Sequence, residues 1–135
     1  MSTTIGKKLL IVDDEPDITF TIKSILEENG FKVDSFTDPI SALDNYQINF
    51  YDLVILDIKM PKMDGFQLYT KIREKDPKIK ICFLTASEMY YEKFRKSRFE
   101  FGRIIGEDYF IQKPISVEGL IDYLSRIMNN NNNVI

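Results

Sequence analysis

A continuous apolar run that ends in an aspartate constrains the fold of this chain more than any other feature. The run is 53–56, and Asp57 follows it, ahead of turn-forming residues that close at Asp64-Gly65. A short run of branched apolar residues bounded by turn signals is typical of a strand buried on both faces, as in a parallel sheet. Asp57 is then predicted at the carboxyl end of that strand, where open α/β sheets bind their ligands. Taken alone, this aspartate is also compatible with a simple turn former or helix cap.

Composition narrows the chemistry. The 135 residues suffice for one domain with a hydrophobic core and not for two. A net charge of −3 gives no global attraction to nucleic acid or to an anionic membrane. The chain has no histidine and one cysteine, Cys82, which lies in an apolar run and is expected to be a buried small hydrophobe. These counts exclude Ser-His-Asp, Cys-His and zinc chemistries.

The sequence predicts neither a secretory leader nor a membrane helix. Residues 1–6 do not form a basic leader followed by an apolar stretch, and no apolar run approaches the ~18 residues that a membrane helix needs. We therefore expect a cytoplasmic protein that does not associate with membranes.

Five apolar segments alternate with five predicted helices along the chain. This alternation, with linkers of ordinary length, predicts a parallel sheet covered on both faces by right-handed crossovers. We expect a flexible N-terminus at 1–6, one domain at 7–128 and a flexible asparagine-rich tail at 129–135. The predicted strands are 8–12, 31–36, 53–56, 80–84 and 109–112.

Periodicity and capping residues place the helices. The first is closed by Asn29-Gly30, the second begins at Asp38-Pro39, the third runs from Asp64-Gly65 to Asp76-Pro77, and Ser116 caps the last. The fourth helix is predicted within 88–105. The apolar faces are predicted at Ile18, Ile22, Ile25 and Leu26 in the first helix, Ile40, Leu43 and Tyr46 in the second, Leu68 and Ile72 in the third, and Leu120, Ile121, Leu124, Ile127 and Met128 in the last.

Charged or hydroxyl side chains follow four of the five predicted strands. They are Asp13-Asp14, Asp57, Thr85 and Lys113. Parallel strands lie about 4.8 Å apart, so one cleft can contain all of these side chains. Each pair of carboxylates would repel by roughly 3 kcal/mol at a separation of about 5 Å and an effective dielectric of about 20. The cluster therefore calls for a cation, and an all-oxygen ligand set favours Mg²⁺, or Mn²⁺.

The same residues are the parts that phosphoryl transfer requires. A carboxylate nucleophile, a metal, a lysine for the equatorial oxygens and a neutral hydroxyl donor would all be present. The segments that contain these residues are Val12-Asp13-Asp14-Glu15-Pro16, Leu56-Asp57-Ile58-Lys59-Met60-Pro61-Lys62-Met63-Asp64-Gly65, Leu84-Thr85-Ala86-Ser87 and Gln112-Lys113-Pro114. In these segments the chain resembles a response-regulator receiver domain of two-component, or phosphorelay, signalling, and the resemblance extends from Lys7 to about Met128.

That resemblance implies a flavodoxin-like, doubly wound five-stranded parallel sheet of order 2-1-3-4-5, flanked by five helices. It also implies that Asp57 accepts a phosphoryl group from the phosphohistidine of a histidine kinase or of a phosphotransfer protein. Asp14, Asp57 and the main-chain carbonyl of Lys59 would ligate Mg²⁺ directly, and Asp13 would act largely through water.

The resemblance further implies a conformational switch. Thr85 and Lys113 would bind the phosphoryl oxygens, and Phe110 takes the position of the family's aromatic switch residue. On phosphorylation Thr85 would move inward and Phe110 would follow, which would alter the surface made by the fourth helix, the fifth strand and the fifth helix and so control an unidentified downstream protein. Lys59 and Ser87 would tune the lifetime of the phosphoryl group. The only catalysis expected is self-catalysed phosphotransfer and autodephosphorylation, so the chain is not expected to be an enzyme.

One segment departs from the family's pattern. Between Thr85 and Lys113 the chain is several residues longer than usual, and the excess lies at 90–103, where basic and aromatic residues alternate. A longer helix with a solvated charged face is favoured over an interaction surface or a nucleic-acid surface, so direct nucleic-acid binding is not expected. A phosphorylation-dependent homodimer remains open, as does whether the receiver is free-standing or the first part of a longer regulator.

Three other functions fit this sequence less well. A metal-dependent phosphohydrolase with an aspartate nucleophile would place a second acid two residues after Asp57, where this chain has Lys59. A flavodoxin-like cofactor binder would need a phosphate loop rich in glycine and hydroxyl groups after the first strand, where this chain has three acids. A degenerate receiver used only for docking would not need the acid pair Asp13-Asp14, Asp57, Thr85 and Lys113, all of which are present.

Overall fold

The structure is a computed structural model that describes residues 6–85, 110–112 and 116–129. The described elements, in chain order, are β1 (Lys8–Val12), α1 (Pro16–Glu28), β2 (Lys32–Phe36), α2 (Pro39–Asp44), β3 (Leu53–Leu56), α3 (Gly65–Lys75), β4 (Ile81–Thr85), β5 (Phe110–Gln112) and α4 (Val117–Asn129). The fourth predicted helix, within 88–105, lies outside the described residues. Helix α4 therefore corresponds to the fifth predicted helix.

The five strands form a single parallel sheet in the order β2-β1-β3-β4-β5. This confirms the α/β class and the strand order that the resemblance implied. Strand β1 lies between β2 and β3, and Val12 is aligned with Phe36 on one side and with Leu56 on the other. Because β1 and β3 end at the same level, the residues that follow them, Asp13 and Asp57, emerge side by side.

Residues that alternate along the strands pack on opposite faces of the sheet. Leu10, Val54 and Phe83 belong to the core beneath α2 and α3, whereas Leu9, Ile55 and Cys82 belong to the core beneath α1 and α4. Both faces of the central strands are thus removed from water, which explains why their sequences are continuously apolar. Each buried leucine or isoleucine contributes about 2 kcal/mol through the apolar surface it removes from water.

The helices begin where their capping residues predict. The Asp38 side chain accepts a hydrogen bond from the Ile40 N–H at the start of α2, and the Gly119 N–H donates to Ser116 Oγ at the start of α4. Helix α3 starts with a reciprocal capping box between Asp64 and Gln67. These bonds satisfy N–H groups that a helix leaves unpaired at its first turn.

The predicted extent of the second helix was wrong at its end. Helix α2 stops at Asp44, and Tyr46 lies beyond it, where its hydroxyl donates to Asp76 at 2.9 Å. The chain leaves the helix at Asn45, whose backbone has φ −102° and ψ 5°. Ile40, predicted on the apolar face, is exposed.

The ends of other elements differ by a residue from their predicted bounds. Thr85 is the last residue of β4 and not the first residue after it. Gly6 donates a backbone hydrogen bond to the Gly30 carbonyl, and α4 extends to Asn129. The rest of the predicted flexible ends, 1–5 and 130–135, lies outside the described residues.

Candidate metal and phosphoryl site

The loop after β1 fixes the first two acidic side chains. The Asp13 N–H donates to the Phe36 carbonyl of β2 at 3.2 Å, which continues the sheet by one bond beyond the strand. Oδ1 of Asp13 accepts a hydrogen bond from the Glu15 N–H at 3.1 Å, so the carboxylate closes a tight turn onto the start of α1. The Asp13 side chain is buried, with 2% of its surface exposed, and Asp14 is half-buried.

The end of β3 fixes the third acidic side chain. The Asp57 N–H donates to the Val12 carbonyl at 2.9 Å, which ties the residue to β1. Oδ1 of Asp57 accepts a hydrogen bond from the Ile58 N–H at 3.0 Å, and this bond orients the carboxylate. Asp57 is 8% exposed, so its side chain is largely buried at the carboxyl edge of the sheet.

The sheet register brings these three acids together. Carboxylate oxygens of Asp13, Asp14 and Asp57 all lie within 4.8 Å of one another. At that separation, and with an effective dielectric of about 20, each pair of full charges repels by roughly 3 kcal/mol, which a bound cation would offset. A set of oxygen donors with two buried carboxylates fits the hard cations Mg²⁺ and Mn²⁺.

A glycine behind Asp57 allows helix α3 to begin close to the site. The Gly65 N–H donates to the Ile58 carbonyl at 2.7 Å, and a Cβ at this position would lie 2.3 Å from the Asp57 carbonyl oxygen. No side chain fits at that distance, so glycine is required here by the close approach of two backbone segments. The capping box of Asp64 with Gln67 starts the helix immediately before it.

The remaining predicted site residues are only partly described. The register of β4 with β5 places the backbone of Thr85 beside that of Gln112 at the carboxyl edge. Phe110 is the first residue of β5. Lys113 and Ser87 lie outside the described residues, as does the long segment 90–103. Lys59 is described, and its side chain is exposed.

Two residues that shape the site were not singled out in the sequence. Gly65 was predicted at the start of the third helix but not as a close neighbour of Asp57, and no role was predicted for Thr19, although its side chain is buried. The start of α3 was predicted at Asp64-Gly65, and the capping pattern Asp64-x-x-Gln67 is a second local signal for it. Nothing local marks Thr19, because a threonine in the second turn of a helix is ordinary.

Together, the doubly wound sheet and the acidic cluster at its carboxyl edge define an α/β domain with a candidate cation site. The family model described as the response regulator receiver domain matches residues 9–125. The chain belongs to this family, whose members are the receiver domains of two-component response regulators.

Individual relatives agree with this membership. The sensor protein EvgS of Escherichia coli K12 is 36% identical over 126 residues, which cover 92% of this chain and 10% of EvgS. The non-phosphorylated receiver domain of HemR from Leptospira biflexa has a TM-score of 0.78 at 31% identity, covering 92% of this chain and 95% of that one. The response regulator TrrA of Thermotoga maritima, in complex with Mg²⁺-BeF, has a TM-score of 0.73 at 31% identity, covering 90% and 98% of the two chains.

The chain is much shorter than the curated proteins it matches. It spans a tenth of EvgS and about half the length of several regulators. Within the part of the chain that the structure describes, no helix has the length and apolar character needed to cross a membrane.

Proposed function

We propose that this chain is a phosphoacceptor that takes a phosphoryl group onto Asp57 from the phosphohistidine of a histidine kinase or of a phosphotransfer protein. A carboxylate oxygen of Asp57 attacks phosphorus, the bond between phosphorus and the imidazole nitrogen breaks, and the electron pair of that bond stays on the imidazole. The product is an acyl phosphate on Asp57 and a neutral histidine on the donor after proton uptake.

The observation that carries this proposal is the convergence of three carboxylates, two of them buried, at the ends of β1 and β3. The Ile58 N–H holds Oδ1 of Asp57, and the Val12 carbonyl holds its backbone, so the nucleophile has a fixed orientation. Fixing a reacting group in this way lowers the entropy lost on reaching the transition state.

Mg²⁺, when bound, would neutralise the charge that develops on the transferred oxygens. We assign direct ligation to Asp14, Asp57 and the main-chain carbonyl of Lys59, and a role through water to Asp13. The deeper burial of Asp13 and its hydrogen bond from the Glu15 N–H support an indirect role. The Mg²⁺-BeF complex of TrrA, a relative at 31% identity, supports the choice of metal.

The neighbouring strands supply the other proposed roles. We assign Thr85 and Lys113 to the phosphoryl oxygens, Phe110 to the switch that follows Thr85, and Lys59 and Ser87 to the lifetime of the acyl phosphate. The place of Thr85 at the carboxyl end of β4 supports the first assignment. The output is then a changed surface made by the fourth predicted helix, β5 and α4. This surface would control a downstream protein or form a homodimer.

Lys59 separates this proposal from a phosphohydrolase. A hydrolase with an aspartate nucleophile uses a second acid to activate the attacking water, and the exposed lysine two residues after Asp57 has no carboxylate to offer. We therefore propose a single phosphorylation with autodephosphorylation and no turnover of small substrates. We also propose that the domain acts in the cytoplasm, where the buried thiol of Cys82 stays reduced.

The proposal is tested by incubating the protein with a small acyl-phosphate donor and Mg²⁺ and measuring its intact mass. We expect one phosphoryl group to be added to the wild type and none in the presence of EDTA. Asp57→Asn should remain unmodified. Asp17→Asn is the matched control, because Asp17 is an exposed aspartate in the first turn of α1, close in sequence to the acidic loop.

Two results would contradict the proposal. The first is an unmodified wild type at saturating donor, with Mg²⁺ binding confirmed by calorimetry. The second is full modification of Asp57→Asn, which would place the phosphoryl group elsewhere. Rapid multiple turnover of a phosphomonoester would favour the hydrolase instead.

A further inference from the structure

The buried hydroxyl of Thr19 lies beneath the acidic loop. Its Oγ1 is 3.0 Å from the Asp13 carbonyl oxygen and 2.8 Å from the Glu15 carbonyl oxygen. The Thr19 N–H also donates to the Glu15 carbonyl at 3.0 Å, and only 3% of the residue is exposed. One side chain in the first turns of α1 therefore contacts the backbone on both sides of Asp14.

A second threonine shows which of these contacts is unusual. Thr70 in α3 donates its hydroxyl to the Phe66 carbonyl four residues back at 3.0 Å, and its side chain is exposed. Such a bond to the preceding turn is common for threonine in helices. The bond from Thr19 to Glu15 is of this common kind, whereas the approach to Asp13, six residues back, reaches outside the helix to the acidic loop.

The Asp13 carbonyl is a sensitive point for the geometry of Asp14. It belongs to the same planar peptide unit as the Asp14 N–H, so any donor that fixes the carbonyl also fixes the plane from which Asp14 begins. On the other side, the Glu15 carbonyl accepts the Thr19 N–H at 3.0 Å, so the single proton of the Thr19 hydroxyl is available to the Asp13 carbonyl. The Asp14 carboxylate, which is only half-buried, thereby has its backbone held in place from beneath.

We propose that Thr19 is a positioning residue for cation binding: its hydroxyl holds the Asp13-Asp14-Glu15 loop so that the Asp14 carboxylate meets those of Asp13 and Asp57. The proposal rests on the function proposed above, because it names a residue that supports the same site. Groups that orient metal ligands in this way typically change metal affinity by about 10-fold to about 100-fold when they are removed.

The test compares Mg²⁺ affinity in four folded proteins by calorimetric titration. Thr19→Val removes the hydroxyl and keeps the branched shape, and it should weaken Mg²⁺ binding by about 10-fold or more. Thr19→Ser keeps the hydroxyl and should bind within about 2-fold of the wild type. Thr70→Val removes the ordinary helical hydroxyl and should not change the affinity. Thr19→Ala is measured in parallel and replaces Thr19→Val if that variant does not fold.

A second measurement examines the loop without metal or phosphoryl donor. In metal-free protein, amide hydrogen exchange at Asp14 and Glu15 should be faster in Thr19→Val than in the wild type, while exchange in the strands β1 and β3 stays unchanged. A purely structural role for Thr19 would instead raise exchange throughout α1 and leave the Mg²⁺ affinity of the folded fraction as in the wild type.

The outcomes separate this inference from the proposed function. Equal Mg²⁺ affinity of Thr19→Val and a wild type that accepts a phosphoryl group would overturn the role of Thr19 alone. A weakened Thr19→Ser would also overturn it, because the hydroxyl would not be the cause. A wild type that neither binds Mg²⁺ nor accepts a phosphoryl group would overturn both proposals.

Discussion

Buried aspartates at the amino edge and at the carboxyl edge of the sheet have different neighbours. At the amino edge, Asp76 is 5% exposed and its Oδ2 accepts hydrogen bonds from the Tyr46 hydroxyl at 2.9 Å and from the Asn49 N–H at 3.3 Å. At the carboxyl edge, the oxygens of Asp13, Asp14 and Asp57 are gathered within 4.8 Å. Neutral donors contact carboxylates at both edges, since Asp13 and Asp57 also accept backbone N–H bonds. Among the described residues, the carboxyl edge differs in that three carboxylates lie together.

This difference separates a structural carboxylate from a functional one. A buried carboxylate that accepts hydrogen bonds from neutral donors stabilises the fold and needs no ligand. A cluster of carboxylates lowers the stability of the metal-free protein through mutual repulsion, and it recovers that loss when a cation binds. Asp13, Asp57 and Asp76 are all buried aspartates, so the number of neighbouring carboxylates distinguishes the two edges.

The largest expected effect comes from Gly65→Ala, which would disturb the carboxyl edge from behind. The added Cβ would lie 2.3 Å from the Asp57 carbonyl oxygen, so α3 and the end of β3 must move apart. We expect the free energy of unfolding to fall by about 3 kcal/mol, the upper range for overpacking, together with a loss of phosphorylation. Urea unfolding and intact mass measure the two effects, and a variant with wild-type stability would contradict the close approach.

A paired truncation tests the comparison directly. Asp76→Ala should lower the free energy of unfolding by about 2 kcal/mol, because the Tyr46 hydroxyl and the Asn49 N–H lose their acceptor. Asp14→Ala should raise it by about 1 kcal/mol in metal-free protein, because one of three repelling charges is removed from a half-exposed position.

Mg²⁺ should then reverse the ranking of these variants at the carboxyl edge only. At a concentration ten times its dissociation constant, Mg²⁺ should stabilise the wild type and Asp76→Ala by about 1.4 kcal/mol and should stabilise Asp14→Ala much less. The measurement is urea unfolding with and without the metal. If both truncations destabilise the metal-free protein equally, the two edges do not differ as described.

The expected effect that is smallest near neutral pH involves Tyr46 and Tyr51 at the amino edge, because it changes the free energy of unfolding only in alkaline solution. Burial, together with the hydrogen bonds to Asp76 and to Asp34, raises the pKa of Tyr46 and the pKa of Tyr51 above the usual value for tyrosine. The unfolded chain then loses these protons near pH ~10 while the folded chain keeps them. The resulting stability is fully present below pH ~10 and is lost as the pH rises through the folded pKa values.

We therefore expect the free energy of unfolding to fall with a limiting slope of about 1.4 kcal/mol per pH unit for each tyrosine above pH ~10. Urea unfolding between pH ~9 and pH ~11 measures the slope. Tyr46→Phe should make it shallower, whereas Asp14→Ala at the opposite edge should leave it unchanged. A slope that Tyr46→Phe and Tyr51→Phe both leave intact would assign it to other groups.

Local sequence signals were sufficient to predict features that depend on a single strand or a single helix. The apolar run before Asp57 is β3, Asp38 and Ser116 cap the helices they were expected to cap, and Asn29-Gly30 follows the end of α1. They failed for Tyr46, whose spacing from Leu43 resembles a helical face. Its hydroxyl instead bonds to Asp76, 30 residues away in the chain, and such a partner has no local signal.

The sequence by itself determined the α/β class, the strands and the residue types that a cation site requires, because apolar periodicity and capping are properties of neighbouring residues. Only the tertiary structure decided that Asp13, Asp14 and Asp57 meet within 4.8 Å, that Gly65 lies against the Asp57 carbonyl and that Thr19 reaches the acidic loop. Those distances follow from the register of β1 with β3 and from the packing of α1 and α3, which join residues far apart in the chain.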